Sequence, residues 1–163
     1  EVVDVDIDES CKENENPITY VRRIAIEKAR AGKLLTKNNF PVLAADTAVT
    51  LDNFVLGKAE CKEDAMNMLE KLSGCTHNVI SAVTVIDQKE STKININKVT
   101  FKKLSKRDIY SYCESSEPIG KAGGYAIQGK GALFIEKLEG SYSGVMGLPL
   151  AETHQLLSDC ILT

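Results

Sequence analysis

Apolar and acidic residues alternate through EVVDVDID at the start of the chain, the period of a half-exposed strand. After the polar stretch SCKENEN the period changes. Val21, Ile24, Ala25 and Ala29 recur at the three- and four-residue spacing of a helix. Asn16 is placed to cap that helix, Pro17 to take its first position, and Gly32 to stop it. Lys28 falls on the same stripe, so the base of its side chain faces the interior. Its stem can carry the ammonium out to solvent along the stripe edge, or hold it inside.

The stretch VLAADTAVT predicts the next strand, apolar except for Asp46 and Thr47 in its middle. DNF then predicts a turn, and VLGK a return limb ending at Lys58. A second helix carries Ala65, Met68, Leu69 and Leu72 on one face and closes at Gly74. HNVISAVTVID and KININKVTFKKL predict two strands joined through QKEST as a hairpin. Ser105 and Asp108 have the spacing of a capping box for a short helix holding Ile109, Tyr112 and Cys113. Eight of the eleven glycines lie between Gly120 and Gly147, and Pro149 opens a last helix, PLAETHQLL. Helices interleaved with hairpin-type strands predict an α/β or α+β domain, a sheet with helices packed on it. The 163 residues suffice for one domain with a proper core, or two small lobes around a cleft.

Charge narrows the function. The net charge is -3, without the basic footprint of a nucleic-acid binder or an anionic-membrane binder. No apolar run approaches the roughly 20 residues that span a bilayer. Five scattered cysteines without a C-x-x-C pair predict free thiols in a reducing, cytoplasmic setting.

Gly124-x-x-x-x-Gly129-Lys130 nearly spells a P-loop. Gly131 stands where the metal-holding hydroxyl belongs, and ALFIEKL predicts a strand in place of the phosphate-binding helix. Asp46 is the stronger candidate. A carboxylate inside an apolar strand costs several kcal/mol unless it is paired, hydrogen-bonded or metal-bound. It is either a structural acid capping a turn or part of a site. Lys28, Lys58 and Lys121 are cations that could balance it, and Glu9 could supply a second carboxylate. Two carboxylates with inward lysines suit a hard cation such as Mg²⁺ and a phosphorylated substrate. His77 and His154 are expected to be structural or exposed. Arg22 and Arg23 are expected on the solvated flank of the first helix, from which one could reach a phosphate.

AADTAV followed by LGK and AMNMLEKLSGCTHNV resembles the central signature of Maf-type nucleoside triphosphate pyrophosphatases. EPIGKAGGYAIQG and GSYSGVMGLPL resemble its C-terminal signature, and the resemblance runs from about Asp6 to the end. It implies a two-lobed α/β fold, like that of inosine triphosphate pyrophosphatases, with a central cleft. It implies cleavage of a nucleoside triphosphate to the monophosphate and pyrophosphate with Mg²⁺ or Mn²⁺, in a homodimer. By motif position Asp46 would be the general base, with Glu9 and Asp46 near the metal. Lys28, Lys58 and Lys121 would contact phosphates. Thr47 and Gln128 match the positions that sort substrates, and this pair resembles the branch acting on dTTP and UTP.

Two departures stand out. Family members begin with a strand and an S-x-S-P-R-R loop whose arginines bind phosphate, and no such segment occurs in these 163 residues. Its loss would remove a strand and weaken triphosphate binding. Gly120 also stands where many members carry Asp. A non-catalytic nucleotide-binding regulator linked to cell division is the rival expectation, and a phosphatase releasing orthophosphate a third.

Overall fold

In the computed structural model, which describes residues 1–36 and 40–161, Asn16 caps helix α1 (Pro17–Leu35) by accepting from the Ile18 amide. The helix runs past Gly32, the expected stop. Gly32 is buried, and a Cβ there would stand 3.3 Å from Val42 Cγ1, so this glycine serves close helix–strand approach. Strands β1 (Val42–Leu51) and β2 (Phe54–Leu56) form a hairpin through Asp52 and Asn53, both at positive φ. Helix α2 (Lys62–Leu72) leads into β3 (Thr76–Ile86) and β4 (Glu90–Phe101). Most of the expected QKEST link is already strand, and only Asp87 to Lys89 lie between the two elements. Helix α3 (Lys106–Cys113) carries the capping box of Ser105 and Asp108. The ALFIEKL stretch is not all strand. A 3-10 helix over Lys130–Phe134 precedes β5 (Ile135–Glu139), and α4 (Tyr142–Met146) and α5 (Leu150–Ile161) follow.

The strands form one antiparallel sheet in the order β2-β1-β3-β4-β5. Alternation along the strands sends successive side chains to opposite faces. On one face Val21 and Ala25 of α1 cover Ala48, Ile80 and Ala82. On the other, α2 and α3 cover Val49, Val79, Val99 and Phe101, and Leu156 of α5 covers Val83 and Val85. Leu69 and Phe101 are almost wholly buried, and each such side chain contributes roughly 1.5–3 kcal/mol.

The expected first strand does not form. Residues 1–8 keep the alternation, with Val3, Val5 and Ile7 half-buried and the aspartates exposed. Among the described residues they share a ladder with no strand. Periodicity reports which side chains face inward, whereas a strand also needs a backbone partner. On its β2 side, β1 is paired only from Val49 to Leu51 among the described residues.

Candidate functional site

Asp46 is central in β1, only 8% exposed, and points to the face covered by α1. Lys28, on the inner stripe of α1, reaches it: Nζ lies 2.8 Å from Asp46 Oδ1 and 2.9 Å from Glu9 Oε1. Lys58 Nζ meets the other Glu9 oxygen at 2.8 Å. Burial pushes the Asp46 carboxyl above its usual range, and the Lys28 ammonium opposes that shift. For Lys28, burial works against the charge, but hydrogen bonds to Asp46 and Glu9 outweigh it and raise the pKa. Burial also opposes charge on Glu9, and hydrogen bonds from Lys58 and Lys28 outweigh it and keep its pKa low.

Thr47 follows Asp46 in sequence but belongs to the opposite face. Its Oγ1 lies 2.6 Å from Ser81 Oγ, its cross-strand neighbour on β3, and 3.4 Å from the Gly147 carbonyl after α4. The cleft of about 250 Å³ is lined by Lys28, Asp46, Thr47, Lys58, Lys121 and Gln128 among others. Glu9 lies in an adjoining pocket that shares Asp46, Thr47 and Lys58. All seven expected site residues therefore come together around the middle of β1.

The glycine-rich segment reaches the cleft by strapping itself to the residues after β2. Ala59 N–H donates to the Lys121 carbonyl, Gly120 N–H to Ala59, and Gly123 N–H to Gly57. Gly123 takes φ of 67°, and a Cβ there would stand 2.9 Å from Val49 Cγ1. These contacts set Lys58 beside Lys121. Farther along, the Glu117 carboxylate accepts from the Tyr112 hydroxyl and from the Lys130 and Gly131 amides. The N–H groups of the near P-loop thus receive an internal carboxylate, which leaves exposed Gln128 at the tip of a braced turn.

Sequence reasoning missed the supports. Arg23 is not on a solvated flank: its guanidinium pairs with Glu15 at 2.7 Å and donates to the Ser10 carbonyl at 2.9 Å. Tyr20 donates to the Glu9 carbonyl at 3.0 Å. Both come from α1 and hold the unpaired N-terminal segment so that Glu9 faces the lysines. The one available signal was their i, i+3 spacing on α1 next to the stripe. His77 is buried against Phe101, with Nε2 2.8 Å from the Tyr125 hydroxyl, and His154 is exposed.

Comparisons with known proteins converge. A family model described as Maf-like protein matches residues 1–160. A dTTP/UTP pyrophosphatase of Alkalilimnicola ehrlichii is 48% identical, over 96% of this chain and 80% of its own length. A protein of the same name from Aliivibrio fischeri is 48% identical over 96% and 85%. A nucleoside triphosphate pyrophosphatase of Xylella fastidiosa is 46% identical over 97% and 86%.

Proposed function

The chain belongs to the Maf family, and from that premise we propose that it hydrolyses dTTP and UTP to the monophosphate and pyrophosphate, a house-cleaning activity on nucleotide pools. The observation that carries the reading is Asp46, a nearly buried carboxylate in the middle of β1, met by an inward lysine, with a hydroxyl on the reverse face.

Asp46 acts as the general base. It takes a proton from water as the water oxygen bonds to the α-phosphorus. The bond from that phosphorus to the bridging oxygen breaks, and pyrophosphate leaves with the electron pair. A raised pKa suits this task, because a base closer to neutrality accepts the proton more readily, and such a base contributes about 10²–10⁴-fold. Lys28, Lys58 and Lys121 set three positive charges against the carboxylates and offset charge on the departing phosphates. Glu9 holds Lys28 and Lys58 toward the cleft.

Glu9 and Asp46 would also hold Mg²⁺ or Mn²⁺. Lys28 Nζ already sits between their oxygens as a cation, so this spacing accommodates positive charge. Among the described residues no three or more His, Cys, Asp or Glu side chains gather as a metal site. Two carboxylates suit a hard cation that completes its shell with water and substrate oxygens. When bound, such a cation supplies Lewis-acid charge neutralisation at the phosphates.

A cytoplasmic homodimer is the setting this reading implies, in accord with the free thiols of Cys11, Cys61, Cys75 and Cys113. No helix among the described residues is long and apolar enough to cross a membrane. The test is a nucleotide panel on the full-length protein with Mg²⁺ or Mn²⁺, with the released anion identified. Pyrophosphate from dTTP and UTP is expected. Orthophosphate release, or nucleotide binding without hydrolysis, overturns the reading.

A further inference from the structure

Ser81 is fully buried beneath Thr47, and four oxygens there share two hydroxyl protons. Ser81 Oγ lies 2.7 Å from the Gly144 carbonyl of α4. Two oxygens that close need a proton between them, and a carbonyl has none to give, so Ser81 donates. Its single proton is then unavailable to Thr47. The 2.6 Å contact between Thr47 Oγ1 and Ser81 Oγ must therefore use the Thr47 proton. The Gly147 carbonyl at 3.4 Å is a more distant taker of that same proton. Either way the Thr47 proton is committed inside the protein, and toward the cleft Thr47 offers only lone pairs. Gly144 packs close against β4, where an added Cβ would collide with Asn95 Oδ1.

We propose that Ser81 is a positioning residue that fixes Thr47 as a hydrogen-bond acceptor, so that Thr47 reads the N3–H of uracil or thymine. This deepens, and rests on, the dTTP/UTP reading. With N1 bonded to the sugar, N3–H is the one base N–H that these nucleotides possess. Cytosine presents a bare N3 lone pair at that position, which repels an acceptor. Gln128 cannot make this distinction alone, because its exposed amide can turn over to donate or accept. The polarity has to come from a group that cannot turn, and Ser81 makes Thr47 such a group.

The test compares kcat/KM for UTP, CTP and N3-methyl-UTP in wild type, Ser81→Ala and Ser81→Thr, each confirmed folded by thermal melting. Wild type should favour UTP over both analogues by about tenfold or more, the scale of a lost hydrogen bond facing an unpaired group. Ser81→Ala leaves the Thr47 proton only the long 3.4 Å contact to the Gly147 carbonyl, a hold weak enough for Thr47 to turn and donate, so the UTP-to-CTP ratio should fall by about tenfold. Turnover of saturating UTP should stay within a few-fold. Ser81→Thr keeps the hydroxyl and should restore the ratio, which a mere packing role would not require. A wild type that accepts N3-methyl-UTP as well as UTP overturns the inference without any variant. An unchanged ratio in Ser81→Ala overturns it while the pyrophosphatase reading stands. No pyrophosphate from UTP in wild type overturns both.

Discussion

Asp46 and Thr47 are neighbours in sequence and stand on opposite faces of the sheet. Asp46 meets Lys28 of α1, whereas Thr47 meets Ser81 and approaches Gly147. The pleat of β1 separates the two, because successive side chains of a strand point to opposite faces. One cleft is lined by both residues, so a nucleotide seated in it can present its phosphates to Asp46 and Lys28 and its base to Thr47. A slip of one residue in the β1–β3 register would exchange their places, so the apolar packing that sets the register also sets the chemistry.

Burial raises the Asp46 pKa and Lys28 lowers it. The acid limb of kcat/KM should therefore lie above the ordinary aspartate value of 3.8, and Lys28→Met should move it to still higher pH. The same shift bears on stability. A carboxyl held more firmly protonated in the folded state contributes fully below the unfolded value, and the contribution is lost as pH rises through the folded value. A pH–rate profile of wild type and Lys28→Met checks the order; a limb that moves down in the variant contradicts it.

Arg23 supports Glu9 from a distance. Arg23→Ala removes its bonds to Glu15 and the Ser10 carbonyl, and KM should rise roughly five-fold, about 1 kcal/mol. Amide exchange across residues 8–15 should quicken in the same variant. Arg22→Ala, on the exposed side of the helix, should leave both unchanged.

His77 gives the fold an acid-sensitive core. Burial lowers its pKa from 6.5 to about 4, so the ring is neutral where the unfolded chain would take a proton. Stability should fall as pH drops from the unfolded value toward about 4, on the order of 3 kcal/mol in total, and this contribution should level off below. Urea melts of wild type and His77→Phe across that window should differ in slope, with the variant flatter.

Local chemistry was readable in the sequence because its causes are local. Asn16 and Pro17 start α1, Ser105 and Asp108 cap α3, and the stripe through Lys28 points at β1. The rest depends on partners remote in sequence. Ser81 lies 34 residues from Thr47 and 63 from Gly144, and nothing near VISAV marks it as more than a strand serine. Gly32 looked like a stop because a glycine for close packing and one for a helix end are the same letter. The strand expected over EVVDVDID, residues 1–8, failed for a related reason, since alternation carries no information about a ladder partner. Glu117 sits beside a proline turn, and its role emerges only where the chain folds back to offer it two amides.

The division of labour across β1 is tested most directly by measuring kcat and the UTP-to-CTP ratio in Asp46→Asn and Thr47→Val. Asp46→Asn should lose about 10²–10⁴-fold in kcat, the worth of a general base. Its residual activity should keep the wild-type ratio. Thr47→Val should keep kcat for UTP within a few-fold and lose the ratio. Wild-type-like turnover in Asp46→Asn, or a changed ratio there with an unchanged one in Thr47→Val, would contradict the account.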